Sequence, residues 1–192
     1  MICCIKIGPY ELRLKNKEVY GYLRDVGLQH IDPPSLDPKT IVPNAGLVYC
    51  SSLRRAFECV RIGSDHKLIK TDLLNEIIFD LAKFCSPEEY KINKSLIVRR
   101  RFRESFIKDI LSMSRAQIFK ELKELLTIIK ENKKDVTFIS HSFRLKLLQA
   151  YVKTAGELEQ KPELINQYLL DDQRTFNFGE SFIISDDELV LI

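Results

Sequence analysis

The sequence CSSLRRAFEC, residues 50–59, joins the end of a predicted strand to the start of a predicted helix. The strand is the apolar run GLVYC at residues 46–50, and Ser51 or Ser52 supplies a hydroxyl of the kind that caps helix N-termini. Residues 136–142, VTFISHS, form a similar junction, where an apolar run ends in serine and histidine. Strands that alternate with helices in this way are typical of an α/β fold.

The rest of the chain extends this alternation of strands and helices. The predicted strands are residues 2–7, 46–50, 67–70, 136–140, 175–184 and 188–192. The predicted helices are residues 16–30, 53–62, 104–130 and 143–153, with 71–84 as a helix or as helix and loop, 32–43 as a proline-rich loop and 85–98 as irregular structure. This order predicts a three-layer sandwich, in which a mostly parallel central sheet carries helices on both faces. We expect residues 1–192 to form a single domain.

The composition is that of a globular protein. Hydrophobic residues make up 45% of the 192 residues, charged residues 30%, and the net charge of +3 favours neither a nucleic acid nor a membrane as partner. The five cysteines form no C-x-x-C pair, and the sequence has neither a long apolar segment nor a signal-peptide pattern. It also has no metal-binding or dinucleotide-binding motif and no Walker loop. We therefore expect a cytoplasmic protein with reduced thiols, no metal and no cofactor.

Ligands of parallel sheets bind beyond the carboxyl ends of the strands, and several polar residues follow such ends here. Lys6 and Arg55 are cations near the ends of the first two predicted main strands, and His141 ends the strand at residues 136–140. A helix N-terminus with an arginine fork favours a phosphate, and an imidazole can donate to a phosphoryl oxygen or transfer a proton. These residues predict a phosphate-sized anion site.

Each candidate also has an alternative interpretation. Arg55 and its neighbour Arg54 can be a solvated pair on a helix surface, and His141 can cap the helix that follows it or be hydrogen-bonded under a loop. Glu76 is a candidate general acid toward a leaving group, or an exposed helical glutamate. The run RRRFR at residues 99–103 is a candidate nucleic-acid contact, although glutamate follows it at once.

Taken in order, these segments resemble the histidine phosphatase superfamily, the phosphoglycerate mutase-like fold. Residues 50–56 look like its S-x-L-x-R-A segment, which implies that Arg55 is the second phosphate-binding arginine. Residues 74–76 look like its L-x-E segment, with Glu76 as an acid/base, and residues 103–105 like its G-E-S stretch. Residues 138–142 are similar to the strand that ends in S-H-G, which implies that His141 is the second pocket histidine.

The chain departs from this family pattern at its first strand. Family members end that strand in R-H-G, where the histidine is the nucleophile, whereas this chain has Lys6, Ile7 and glycine. Isoleucine has no lone pair and cannot form a phosphoenzyme, and lysine keeps the charge of arginine without its planar fork. Ser142 also replaces the glycine that follows the second histidine. The resemblance therefore implies a degenerate member of the superfamily.

Three functional hypotheses follow. The first is a catalytically degenerate protein that binds phosphate or a phosphorylated ligand through Lys6, Arg55 and His141, or that serves as an interaction module for a protein partner. The second is an active phosphomonoesterase or mutase, in which His30, His66, or a water activated by His141 or Glu76, replaces the nucleophile at Ile7. The third is a nucleic-acid-associated module that uses residues 99–103. The identity of the ligand and the oligomeric state are left open.

Overall fold

The structure is a computed structural model that describes residues 2–6, 40–41, 47–53, 56, 60–61, 67–93, 95–132, 136–170 and 181–192, and only the backbone of residues 2–6, 40–41, 60–61, 82, 95 and 181. The strands within these ranges are β1 (Ile2–Lys6), β2 (Thr40–Ile41), β3 (Leu47–Ser51), β4 (Val60–Arg61), β5 (Lys67–Thr71), β6 (Val136–Ser140) and β7 (Ser181–Ile184). The α-helices are α1 (Pro87–Asn93), α2 (Ser95–Ile107), α3 (Arg115–Glu131), α4 (Ser142–Lys153) and α5 (Asp186–Val190).

The main sheet has five strands in the order β5-β3-β6-β1-β7. Strands β5, β3, β6 and β1 run parallel, and β7 pairs antiparallel with β1 at the edge. In the central strand β6 every residue is buried, as expected when both faces of a parallel sheet are covered. The α/β class and the mostly parallel three-layer architecture predicted from the sequence are therefore confirmed.

Alternating residues of the central strands face different layers. Tyr49 and Phe138 are register neighbours on one face, where their rings meet edge to face at a centroid distance of 5.8 Å. Phe138 belongs to the large core that also contains side chains of α2, α3 and α4. Val48 and Ile139 alternate with them on the opposite face and are fully buried as well.

The prediction of one long helix at residues 104–130 is wrong, since two helices, α2 and α3, occupy this region. Asp109 takes a left-handed conformation with φ of 55°, which ends the first helix, and Ile110 is half exposed. Ser114 then starts α3 by accepting a hydrogen bond from the Gln117 amide at 3.2 Å. Apolar periodicity continued across the break, so the pattern alone did not reveal the turn.

Residues 85–98 were predicted to be irregular, but most of them are helical. Ser86 accepts a hydrogen bond from the Glu89 amide at 3.1 Å, and Pro87 occupies the first position of α1. A serine followed by proline and glutamates is a helix-start signal, because proline lacks the amide hydrogen that is unsatisfied there. The sequence therefore contained this signal, and the prediction missed it.

Other predicted helices, strands and loops also differ from the structure. Residues 188–192 are not a strand, because Ser185 and Glu188 form a capping box that starts α5. Residues 71–84 contain only two short 3-10 turns, Asp72–Leu74 and Leu81–Lys83. The short strands β2 and β4 pair in parallel. Strand β2 lies within the predicted loop at 32–43, and β4 lies at the end of the predicted helix at 53–62. The predicted helix at residues 16–30 and residues 175–180 of the predicted tail strand lie outside the described residues.

Replacing Ser114 with alanine is expected to destabilise the protein by about 1 kcal/mol, because the Gln117 amide in the first turn of α3 loses its side-chain acceptor. Chemical denaturation measures this change, with Ser112→Ala as the matched control, since Ser112 is an exposed serine in the same turn. Equal stability of the two variants would contradict the capping role of Ser114.

Candidate functional site

The parallel strands bring several polar residues to one edge of the main sheet, which we call the carboxyl edge. It contains the final residues of four strands, Lys6 of β1, Ser51 of β3, Thr71 of β5 and Ser140 of β6. Lys6 is the register partner of Ser140, so its backbone lies beside the residue that precedes His141. This edge is the usual position for a ligand of a parallel α/β sheet.

His141 is a buried residue directly after β6, at the N-cap position of α4. Its side chain makes no capping hydrogen bond to the helix. Instead its Nε2 atom lies 2.9 Å from the hydroxyl oxygen of Ser51, the last residue of β3. The interpretation of His141 as a cap is therefore right for its backbone position and wrong for its imidazole.

The hydroxyl of Ser51 continues into a polar network along the carboxyl edge. Its Oγ donates to Oδ1 of Asn75 at 2.6 Å, and Nδ2 of Asn75 donates to Oδ1 of Asp72 at 3.0 Å. The hydroxyl of Ser52 also donates to the Asp72 carboxylate. Every side chain of this network ends a strand, follows one or lies in the turn after β5, so the network links His141 to the ends of β3 and β5.

Glu76 caps helix α4 from outside its own segment. One of its carboxylate oxygens accepts from the Phe143 amide at 3.3 Å, and the other accepts from the Arg144 amide at 3.0 Å. A carboxylate at this position interacts favourably with the helix dipole and satisfies amides that have no partner within the helix. Glu76 is therefore neither helical nor exposed, and it lies one residue after the polar network.

A short anchor fixes the segment that carries Asn75 and Glu76. Ser140 at the end of β6 donates its hydroxyl proton to the Leu74 carbonyl at 2.6 Å, and the side chain of Leu74 is fully buried. These contacts tie the turn after β5 to the central strand. The positions of the two polar side chains thus depend on β6 as well as on β5.

Arg144 is a buried residue at this site that the sequence did not single out. Its side chain is 1% exposed, its Nε donates to the Asn75 carbonyl at 2.9 Å, and its Nη2 pairs with Glu121 of α3 at 2.7 Å. Within the described part of the chain, its Nη1 has no hydrogen-bond partner. Burial lowers the pKa of the guanidinium, while the charges of Glu121 and Glu76 act in the opposite direction. No sequence motif marks an arginine three residues after a strand-end histidine as a core cation.

The arginine run at residues 99–103 lies in α2 and does not form a continuous basic surface. Arg99 is buried, and Phe102 inside the run is fully buried in the core. Arg101 pairs with carboxylates of α1 and α2 at 2.9 and 3.0 Å, which raises its pKa. Arg103 donates to the Leu169 carbonyl at 2.7 Å. These contacts serve the packing of α2 and give no support to the nucleic-acid hypothesis.

Some candidates lie outside the described residues, and for others only part is described. Ile7, Arg54, Arg55, His30 and His66 belong to the first group, and for Lys6 only the backbone is described. The binding roles of Lys6, Arg55 and His141 stay predictions.

Among the described side chains, no cluster of histidine, cysteine, aspartate and glutamate has the geometry of a metal site. In the same ranges, no helix is long and apolar enough to span a membrane.

Comparisons with known proteins leave the family open. No family model and no curated protein matches the sequence. Among solved structures, the chain is similar to a phosphoserine phosphatase mutant from Entamoeba histolytica in complex with phosphoserine. The TM-score is 0.49 at 18% identity, and the match covers 96% of this chain and 94% of that one. An identity and a score of this size are too low to transfer an activity to this chain.

Proposed function

We propose that the protein binds a phosphate group, as the free ion or on a phosphorylated ligand, at the carboxyl edge of its main sheet. The observation that carries this proposal is the position of His141. Its imidazole is buried at the end of β6 and is held by the end of β3, while the adjacent strand β1 ends in the cation Lys6. Arg55, four residues after Ser51 in the sequence, supplies the bidentate fork for the phosphate oxygens.

We further propose that binding takes place without efficient turnover. Ile7 follows Lys6 directly, where the resemblance to histidine phosphatases requires the nucleophilic histidine, and a hydrocarbon side chain cannot form a covalent phosphoryl intermediate. Glu76, the candidate acid, has both carboxylate oxygens engaged by the first amides of α4. These contacts favour a structural role for Glu76 over proton transfer to a leaving group.

Replacing Arg55 with alanine is expected to weaken the binding of inorganic phosphate by about tenfold or more, because a charged hydrogen-bonding partner of the anion is removed. Isothermal titration calorimetry with phosphate, and separately with vanadate, measures the change. Arg54→Ala is the matched control, since it removes an equal charge from the neighbouring position and is expected to leave the affinity within about twofold.

Two outcomes would overturn parts of this proposal. If neither phosphate nor vanadate binds to the unmodified protein at millimolar concentration, the anion site is refuted. If the protein hydrolyses para-nitrophenyl phosphate at enzymatic rates, and Arg55→Ala and His141→Ala both abolish that hydrolysis, the second hypothesis of an active phosphomonoesterase replaces the binding role.

A further inference from the structure

We infer that Asp72, Asn75 and Ser51 form a hydrogen-bond relay that holds neutral His141 in the tautomer protonated at Nε2, with Ser51 as the positioning residue. The inference deepens the proposed function, because it assigns the ring atom of His141 that takes up or releases a proton. The hydrogen bonds from which we infer the relay all join described side chains, and none of them involves a ligand. The direction of each hydrogen bond follows from which groups can donate.

The first step fixes the orientation of the Asn75 amide. An ionised carboxylate only accepts hydrogen bonds, so the Asn75 atom that lies 3.0 Å from Oδ1 of Asp72 must be the donor, Nδ2. The same atom lies 3.0 Å from the hydroxyl oxygen of Ser52, whose proton is donated to Asp72. The Ser52 oxygen also lies 3.2 Å from Oδ1 of Asn75, so it is the Asp72 contact that requires the amide nitrogen on this side and leaves Oδ1 to face Ser51.

The second step fixes the hydroxyl proton of Ser51. Oδ1 of Asn75 can only accept, and it lies 2.6 Å from Oγ of Ser51, the shortest contact that this hydroxyl makes. A serine has one hydroxyl proton, which is therefore donated to Asn75. The Ser51 oxygen is left with its lone pairs, and it accepts from the Leu53 amide at 3.2 Å.

The third step assigns the tautomer. Nε2 of His141 lies 2.9 Å from the same Ser51 oxygen, which has no further proton to offer. The hydrogen bond can form only if Nε2 carries the hydrogen, so the basic lone pair of the neutral ring is on Nδ1. Proton uptake by the neutral ring then takes place at Nδ1. A serine at the end of β3 thus decides which nitrogen of a residue 90 positions later is reactive.

Nuclear magnetic resonance of the unliganded protein, labelled with ¹⁵N-histidine, tests this assignment. Long-range ¹H–¹⁵N correlations distinguish the two neutral tautomers, and the chain has only three histidines to assign. His141→Asn identifies the resonances of His141 by their loss. At a pH where the ring is neutral, we expect Nε2 at the shift of a protonated nitrogen and Nδ1 at the shift of an unprotonated one. The opposite pattern in the unmodified protein would overturn the inference.

Ser51→Ala removes the acceptor that faces Nε2 and is expected to move the two ring nitrogens toward each other in shift, as the tautomers mix. Ser52→Ala is the matched control, because Ser52 contacts Asp72 and Asn75 but makes no described contact with the His141 ring. It is expected to leave the tautomer unchanged. An unchanged His141 spectrum in folded Ser51→Ala would refute the relay, and if that variant fails to fold, the spectrum of the unmodified protein still decides. Since no ligand is present, these results are independent of whether phosphate binds.

Discussion

Replacing Glu121 with alanine is expected to destabilise the protein by about 3–5 kcal/mol, the largest single effect that we anticipate at the site. The change leaves the guanidinium of Arg144, which is 1% exposed, without the carboxylate that lies 2.7 Å from it. A buried charge without its partner is costly, because the desolvation penalty remains when the Coulombic attraction is lost. Denaturation by urea, followed by circular dichroism, measures the change in the free energy of unfolding.

Two further variants separate the ion pair from the packing of helix α3. Glu124→Ala removes an exposed glutamate from the same helix and is expected to change the stability by less than about 0.5 kcal/mol. The double variant with Glu121→Leu and Arg144→Met replaces both charges by apolar groups and is expected to recover most of the lost stability. If Glu121→Ala is as stable as Glu124→Ala, the ion pair between Glu121 and Arg144 contributes nothing to the stability. Other groups would then stabilise the charge of Arg144.

Replacing Phe102 with alanine is expected to destabilise the protein by about 3–5 kcal/mol, because a large, fully buried side chain leaves a cavity. The ring of Phe102 stacks on Phe143 of α4 at a centroid distance of 3.9 Å and meets Phe79 edge to face at 5.7 Å. Helix α2 is thereby packed against α4 and against the segment that follows Glu76. The same denaturation experiment measures the effect.

The control for Phe102 is Leu96→Ala, since Leu96 is an exposed apolar residue of the same helix. This substitution removes exposed apolar surface from the same helix without leaving a cavity, and it is expected to lower the stability by less than about 0.5 kcal/mol. A small effect of Phe102→Ala, together with weaker binding to single-stranded RNA, would reinstate the aromatic within residues 99–103 as a nucleic-acid contact. We expect instead the loss of stability alone.

Much of the sheet could be predicted from the sequence. The apolar runs at β1, β3 and β6 and the short segment KLIK at β5 are local features, and all four form strands whose ends lie within one residue of the prediction. The junction between α2 and α3 could not be found in this way, because Phe106 and Ile118 continue an apolar periodicity on either side of a turn. A left-handed residue at Asp109 ends the helix there, and aspartate is only weakly specific for that conformation.

The site was predictable in part. His141 could be placed at a strand end from the sequence, because a strand boundary is a local property. The partner of its ring could not be foreseen, because Ser51 is also a plausible helix cap, and only the neighbouring positions of β3 and β6 bring the two together. Glu76 was a candidate acid from its carboxylate chemistry and then from its match to a family motif, whereas its hydrogen bonds assign it to the N-terminus of α4.

The sequence by itself determined where the central strands lie and which functional groups follow them, because hydrophobic periodicity and residue chemistry act over a few neighbouring positions. Only the tertiary structure decided the partners of those groups. Glu76 meets α4 across 67 residues, and Arg144 meets the Asn75 carbonyl across 69. Contacts at such separations depend on the pairing of strands that are distant in the sequence, and no pattern of neighbouring residues specifies them.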